Sequence, residues 1–468
     1  MAVRIIPGAV SATSLRALVL TDQPGEPAVR LGDAHGDALP GLKLTPHASG
    51  DSRFDQHVLG AGVRLWLATA DKLTPATDYL LNKVHLKTLP RKLPRAGVNI
   101  AVSSCYCDLF KRSGDYLKVL QGASGYNPLL AKFLVGDNLY LDVGPLKGRT
   151  PFEEIAERYL DHYWRSDYAD VLGYLPTFTI WDDHEFWNNY PERQIHLPRI
   201  NAHHADYTAA CQLGLRTFQA AINPAPAARS GLSYTVDLAP LSVFALDMRS
   251  GRTSHEASEP RLCSEAELAA FERWAARLRG PGAVVVGQPL WIHTGNNFDW
   301  NPPAFRAQFA RLWKAMAAAP WDIVILTGDI HHSHLLEIDT GTSGRIWQLT
   351  SSPVVHIPTI ESIAARAFDV QDRAAVNFTP SLEIDVVASG TQPRIAAYHM
   401  GSACPNTLAL LNIKPNLDGS VAFSGKFVDL VTKIATPWEA PPPGVPVAPG
   451  DHRWCSREPM FTLRRRPA

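Results

Sequence analysis

The sequence is short of every feature that would mark it for an unusual partner or compartment. Lysine plus arginine and aspartate plus glutamate number 45 each, so neither sign is in excess. A chain without a net field has no long-range pull toward nucleic acid or an anionic bilayer. Six cysteines in 468 residues (Cys105, Cys107, Cys211, Cys263, Cys404 and Cys455) show no framework spacing. That argues against a disulfide scaffold and for reduced thiols. No apolar run approaches the roughly 20 residues needed to span a bilayer. The opening residues Met1-Ala2-Val3-Arg4-Ile5-Ile6-Pro7 lack the basic, apolar and small-residue sections of an export signal. A cytoplasmic, soluble protein with no membrane attachment and no nucleic-acid-binding module is the expectation.

What is present fits an ordinary globular interior: 46% hydrophobic and 19% charged residues. The length allows one large domain with appendages, and 37 prolines with 32 glycines imply many turns. Residues 1–95 carry short apolar runs between turn residues, at 15–20, 63–67 and 81–86, and predict a β-rich region with little helix. Residues 96–435 predict the main α/β domain. The run APPPGVP at 440–446 predicts a stiff spacer within 436–468, ahead of a tail whose Arg464-Arg465-Arg466 reads as solvated.

Within the main domain, apolar strands alternate with helices, and each strand runs into a polar loop. Residues 100–102 lead to Ser103-Ser104-Cys105, and 132–135 lead to Gly136-Asp137-Asn138-Leu139-Tyr140-Leu141-Asp142. Residues 175–180 lead to Trp181-Asp182-Asp183-His184-Glu185-Phe186-Trp187-Asn188-Asn189, and 241–246 to Asp247-Met248-Arg249. Residues 284–286 reach Gly287-Gln288-Pro289, and 323–326 reach Thr327-Gly328-Asp329-Ile330-His331-His332-Ser333-His334. Two helix starts carry capping boxes, Thr150 with Glu153 (Pro151 between them) and Ser264 with Glu267. The layering predicts a sheet whose polar loops gather on one edge, where ligands bind in open α/β folds. After about residue 345 the pattern turns to strands again, at 346–349, 382–387 and 395–398.

Carboxylates, imidazoles, a thiol and a phenol at these loops are the donors of a transition metal. Taken singly each has a plainer reading: a Gly-Asp pair is commonly a turn, and a cysteine after a strand is commonly a small buried apolar residue. Their recurrence at successive strand ends is what points to a metal.

In this order and over residues 99–353, the motifs resemble those of the PhoD-like (alkaline phosphatase D-type) metallophosphatases, within the calcineurin-like phosphoesterases. The resemblance rests on Ser-Ser-Cys105, Gly-Asp137-Asn-Leu-Tyr140-Leu-Asp, Trp-Asp-Asp183-His184-Glu with its trailing Asn-Asn, Leu-Asp-Met-Arg249 and Gly-Asp329-Ile-His331. It implies a metallophosphatase β-sandwich flanked by helices, with a small β-rich N-terminal region. It also implies a dinuclear centre, Fe(III) with Ca, Mn or Zn, held by Cys105, Asp137, Tyr140, Asp183, Asp329 and His331. Asp137 would bridge the ions and Tyr140 would bind Fe(III) as phenolate. His184 would protonate the leaving oxygen and Arg249 would contact phosphate.

That chemistry is consistent with what two metals about 3.5–4 Å apart do for phosphoryl transfer, holding a phosphoryl oxygen and a hydroxide in line. The implied activity is hydrolysis of a small-molecule phosphate ester, mono- or diester; the alternative is a non-catalytic metal-binding or scaffold protein on the same fold. Where the superfamily places a fourth-motif histidine, this chain offers Gln288 or His293. Asp142 is open between binding a metal and holding a ligand. Asp182 is expected to point away from Asp183 if the chain stays extended, and Trp181 and Trp187 to be packing walls.

Overall fold

The computed structural model describes residues 2–107, 112–126, 128–143, 150–293, 303–331, 333–339, 344–355, 378–380, 394–399, 406–430, 435–437 and 461–467. The strand expected at 382–387, the spacer at 440–446, Cys404, Cys455 and His332 lie outside them.

Among the described residues the main domain is built on two seven-stranded sheets. In the first, strands Val98–Ser103, Leu129–Val135 and Thr177–Ile180 run parallel to one another. In the second, Leu241–Ala245, Gly282–Val285, Ile323–Thr327 and Arg345–Thr350 do the same. Their near-continuous Val, Ile and Leu composition follows from burial on both faces. Val102, Phe133 and Leu134 of the first sheet share one core with Val243, Val285 and Val324 of the second. Alternate residues of the second sheet, Phe244, Val284 and Ile325, face a separate core filled by helices Glu265–Ala276 and Arg306–Ala317. The layers are thus helix, sheet and sheet, with helices Pro151–Leu160 and His204–Gly214 joined to the core of the first sheet.

The helix starts lie where the capping signals put them. Thr150 Oγ1 accepts the Glu153 amide at 3.2 Å, and Ser264 Oγ accepts the Glu267 amide at 3.3 Å. Each satisfies an amide that the first turn leaves without a partner.

The N-terminal region is β-rich as expected. A four-stranded antiparallel sheet joins Val3–Val10, Ser14–Thr21, Arg64–Asp71 and Lys43–His47. Two details differ from the sequence reading. The run at 81–86 is a hairpin, Asp78–Leu81 with Val84–Lys87, because Asn82 adopts φ 54° and turns the chain. A helix also stands there, Ser52–Gly60, started by the Asp51 side chain, which accepts the Arg53 amide at 2.9 Å.

The C-terminal residues return to the domain. Strand Phe461–Leu463 pairs with Val421–Asp429 of the first sheet. Arg466 is buried, against the expectation of a solvated basic end, while Arg464 and Arg465 are exposed. Its guanidinium meets Asp322 Oδ1 at 3.3 Å and the carbonyls of Met316 and Ala317 at 2.9 and 2.7 Å. These carbonyls belong to the last turn of helix Arg306–Ala317, where a cation is favoured by the helix dipole.

Candidate metal centre

The parallel strands of both sheets end at one shared edge, and three glycines let the two sheets touch there. A Cβ on Gly287 would stand 2.6 Å from the Trp181 carbonyl oxygen and 2.7 Å from Asp182 Cβ. One on Gly136 would stand 2.9 Å from Gly287 Cα, and one on Gly328 2.2 Å from the Ser104 side chain. Real Cβ atoms do not approach so closely. The edge therefore closes only because these positions carry no side chain.

The chain turns sharply at these strand ends. Cys105 (φ 57°), Asp137 (φ 50°), Asp329 (φ 67°) and His331 (φ 51°) all adopt left-handed backbone. For residues other than glycine this costs on the order of 1 kcal/mol each, and such strain concentrates where side chains must be aimed. Here it swings the side chains off the strand axis into one cluster.

Three overlapping groups of donors result, each with its ligand atoms within 4.8 Å of one another: Cys105, Asp137 and His331; Asp137, Asp183 and His184; Asp182, Asp183 and Asp329. Asp137, fully buried, belongs to two of them. Its Oδ2 lies 3.5 Å from Cys105 Sγ and 3.4 Å from the Tyr140 hydroxyl, which in turn lies 3.0 Å from His331 Nε2. Asp329 alone among the ligand candidates is half-exposed, so the cluster opens to solvent on its side.

Electrostatics set this cluster apart from ordinary polar loops. Burial raises the Asp137 carboxyl well above the usual range, and Cys105, Asp183 and Asp329 push the same way. Burial and Asp329 push the Cys105 thiol up to about 12. Burial, with Cys105 and Asp137, raises the Tyr140 phenol. Burial also opposes protonation of His184, but Asp142 and Asp183 outweigh it and raise its pKa to about 10. Asp183 Oδ1 is buried and accepts no hydrogen bond among the described residues, although its Oδ2 takes the Asn189 amide at 2.5 Å. Crowded carboxylates with a thiol, a phenol and an imidazole, one oxygen lacking a donor, match what a divalent or trivalent cation requires. The donor set fits a metal.

A solved structure of PhoD matches 92% of this chain and 87% of its own, with a TM-score of 0.55 at 13% identity. The chain has the PhoD fold. GAP50, the anchor in the inner membrane complex of Plasmodium, aligns at 10% identity over 80% of this chain and 90% of its own, with a TM-score of 0.38. No protein-family model and no curated protein sequence matches the chain.

On this PhoD fold, Cys105, Asp137, Tyr140, Asp183, His184, Asp329 and His331 converge. Arg249 does not join them. Its fully buried guanidinium donates through Nε to Asp182 Oδ1 and through Nη1 to the Tyr190 carbonyl at 2.7 Å. It is walled off from solvent and anchors the Asp182 loop, so direct contact with an incoming phosphate is not what the geometry provides. The guanidinium pairs with Asp182, while the Arg249 backbone amide donates to Asp247 Oδ1 at 3.0 Å. Asp247 also accepts from Trp181 Nε1 at 2.8 Å, giving that tryptophan a polar anchor besides its packing.

Asp182 departs from the sequence reading. It pairs with Arg249, yet its carboxylate also stands beside Asp183 and Asp329. The expected alternation fails because the strand has ended, and a 3₁₀ turn begins at Asp183. Asp142 resolves as the holder of His184: Oδ1 meets Nδ1 at 2.8 Å and Oδ2 takes the Asn188 amide at 2.8 Å. The Asn188-Asn189 pair thus acts through its backbone amides. Gln288 sits at its strand end with Oε1 3.3 Å from Arg252 Nη1; the side chains of His293 and His334 are outside the described set.

Two contributors had escaped sequence reasoning. Glu185, fully buried, accepts the amides of Asp137 and Asp182 through Oε2 at 3.0 and 2.9 Å and that of Asn138 through Oε1 at 2.6 Å. Burial lifts its pKa to about 8, opposed by those amides. The Asp182-to-Glu185 spacing of a capping box was the available signal. Ser352 lies 3.1 Å from Cys105 Sγ, and nothing in the sequence around it marks it.

Proposed function

We propose that the chain is a metal-dependent phosphoesterase. The observation that supports this best is the joining of seven donor and proton-bearing side chains from both sheets at the single edge where a PhoD fold closes. Cys105, Tyr140, Asp137 and His331 form the side suited to Fe(III). The oxygen-rich side of Asp182, Asp183 and Asp329 suits Ca or Mn rather than Zn, with Asp137 between. When bound, such ions polarise a phosphoryl oxygen and lower the pKa of water.

The residues have complementary tasks. Glu185 fixes the loops that carry Asp137 and Asp182 by holding their amides. Asp142 orients the His184 ring through Nδ1, leaving Nε2 for a leaving-group oxygen. The Tyr140 ring lies 4.1 Å from the His184 ring and limits its rotation. A histidine held protonated at neutral pH by Asp142 is a proton donor, which contributes typically 10²–10⁴-fold to such reactions. The substrate is a small phosphate ester that enters past half-exposed Asp329.

The test is a screen of the purified protein against phosphomonoesters and phosphodiesters, with each metal in turn. His184→Ala is expected to keep its metals and lose about 10²–10⁴-fold of turnover on esters with poor leaving groups. Wild-type turnover in that variant would remove His184 as the acid. Bound metal without hydrolysis of any ester would favour a scaffold on this fold instead.

A further inference from the structure

The segment 351–355 crosses the joint between the two sheets. It follows strand Arg345–Thr350 of the second sheet and fastens to the first. Ser351 Oγ donates to the Val102 carbonyl at 2.8 Å, and the Val354 and Val355 amides donate to the carbonyls of Ser104 and Cys105 at 2.8 and 3.1 Å. Between these anchors stands Ser352, itself buried.

The Ser352 hydroxyl touches two candidate ligands, one from each sheet. It accepts the His331 amide at 3.0 Å and lies 3.1 Å from Cys105 Sγ. A hydroxyl has one proton to give. His331 supplies a donor, so that proton must go elsewhere, and among the described residues the sulfur is the one acceptor within reach. Ser104 Oγ is also near the sulfur, at 3.3 Å, but has the Ser351 carbonyl closer, at 2.9 Å. Ser352 is therefore the hydroxyl whose proton is committed to Cys105.

We propose that Ser352 is a positioning residue for the metal centre. It donates to the Cys105 sulfur as a thiolate ligand and ties that ligand to His331, so that one hydroxyl sets both how tightly a metal is held and how strongly the sulfur donates. The proposal rests on the reading of Cys105 and His331 as ligands. Groups that hydrogen-bond to metal ligands fix their direction and tune the metal, and losing one typically costs 10- to 100-fold in affinity. Hydrogen bonding to a ligating cysteine sulfur tunes the electronic properties of the metal. Withdrawing density from sulfur moves sulfur-to-metal charge transfer to higher energy, and loss of the bond moves it to longer wavelength.

Cobalt(II) loaded into the full-length protein reads both effects without any assay of turnover. Wild type is expected to show a near-ultraviolet sulfur-to-cobalt band that Cys105→Ser lacks. Ser352→Ala is expected to shift that band to longer wavelength, to bind cobalt about 10- to 100-fold more weakly and so to release it to a chelator faster. Ser352→Thr, which keeps the hydroxyl, should restore both. An unmoved band and an unmoved release rate in Ser352→Ala would overturn the proposal. Should that variant not fold, Ser352→Gly, which also removes the hydroxyl, should shift the band in the same direction, and an unmoved band there is equally decisive against it. Wild type that binds cobalt without the band overturns the role of Ser352 and leaves the metal centre standing. Wild type that binds no metal overturns both.

Discussion

Asp137 shows how a residue's chemistry here depends on its supports. Its carboxylate is shared by two donor groups, its amide is held by Glu185, and its backbone is left-handed. His184 is supported in the same way, by Asp142. Asp142→Asn keeps an acceptor opposite Nδ1 but removes the charge that holds the imidazolium. The donor form of His184 exists below its raised pKa of about 10 and is lost as pH rises through it. Removing the Asp142 charge lowers that pKa, so the alkaline limb of the rate profile should move to lower pH. Turnover should fall about 10- to 100-fold. A pH–rate profile of the two proteins checks this, and an unmoved alkaline limb contradicts it. At this scale the sequence was informative about donors and poor about their supports. Asp183, His184 and Asp329 could be picked out by type and by place after a strand. The pairing of Arg249 with Asp182, and the service of Glu185 to three amides, depend on contacts between loops far apart in the chain.

At the scale of strands and helices, the alternation of apolar runs with polar loops was enough to give the layered α/β architecture. Alternation misled where a strand had already ended, at Asp182, and where a turn hid inside an apolar run, at Asn82. Helix Ser52–Gly60 went unread because only Phe54 and Val58 of its residues are buried, too few to show a stripe. The glycines at the joint carry a sharp expectation. Gly328→Ala places a methyl group 2.2 Å from Ser104 and 2.5 Å from the Val135 carbonyl, neither of which can swing away. It should weaken metal retention and cost stability by about 1–3 kcal/mol. Gly122→Ala is the control, on an exposed turn of helix Ser113–Tyr126 with nothing within 4 Å. It should stabilise by about 0.5–1 kcal/mol and leave metal binding alone. Urea unfolding and metal analysis of both variants separate a joint that must close from a general intolerance of alanine.

Over the whole molecule, the two sheets are held together far from the metal site as well as at it. Strand Phe461–Leu463 extends the first sheet, while Arg464 and Arg466 grip Asp322, the residue that precedes strand Ile323–Thr327 of the second. Removing one partner of a buried pair leaves the other charge unpaired. Arg466→Ala should therefore lower the unfolding free energy by about 3–5 kcal/mol without touching the ligands. A loss below about 1 kcal/mol in urea unfolding would show that this end is dispensable. The last residues looked like a solvated basic tail because the acceptors of Arg466 lie some 120–150 positions earlier in the chain. All of these features converge on one claim, that the shared sheet edge is a metal centre. Metal analysis of freshly purified wild type beside Asp137→Asn tests it most directly. Tightly bound iron, calcium, manganese or zinc in the wild type, lost on Asp137→Asn with the fold intact, is the predicted result. A wild type that holds no metal, or an Asp137→Asn protein that retains its full complement, would contradict it.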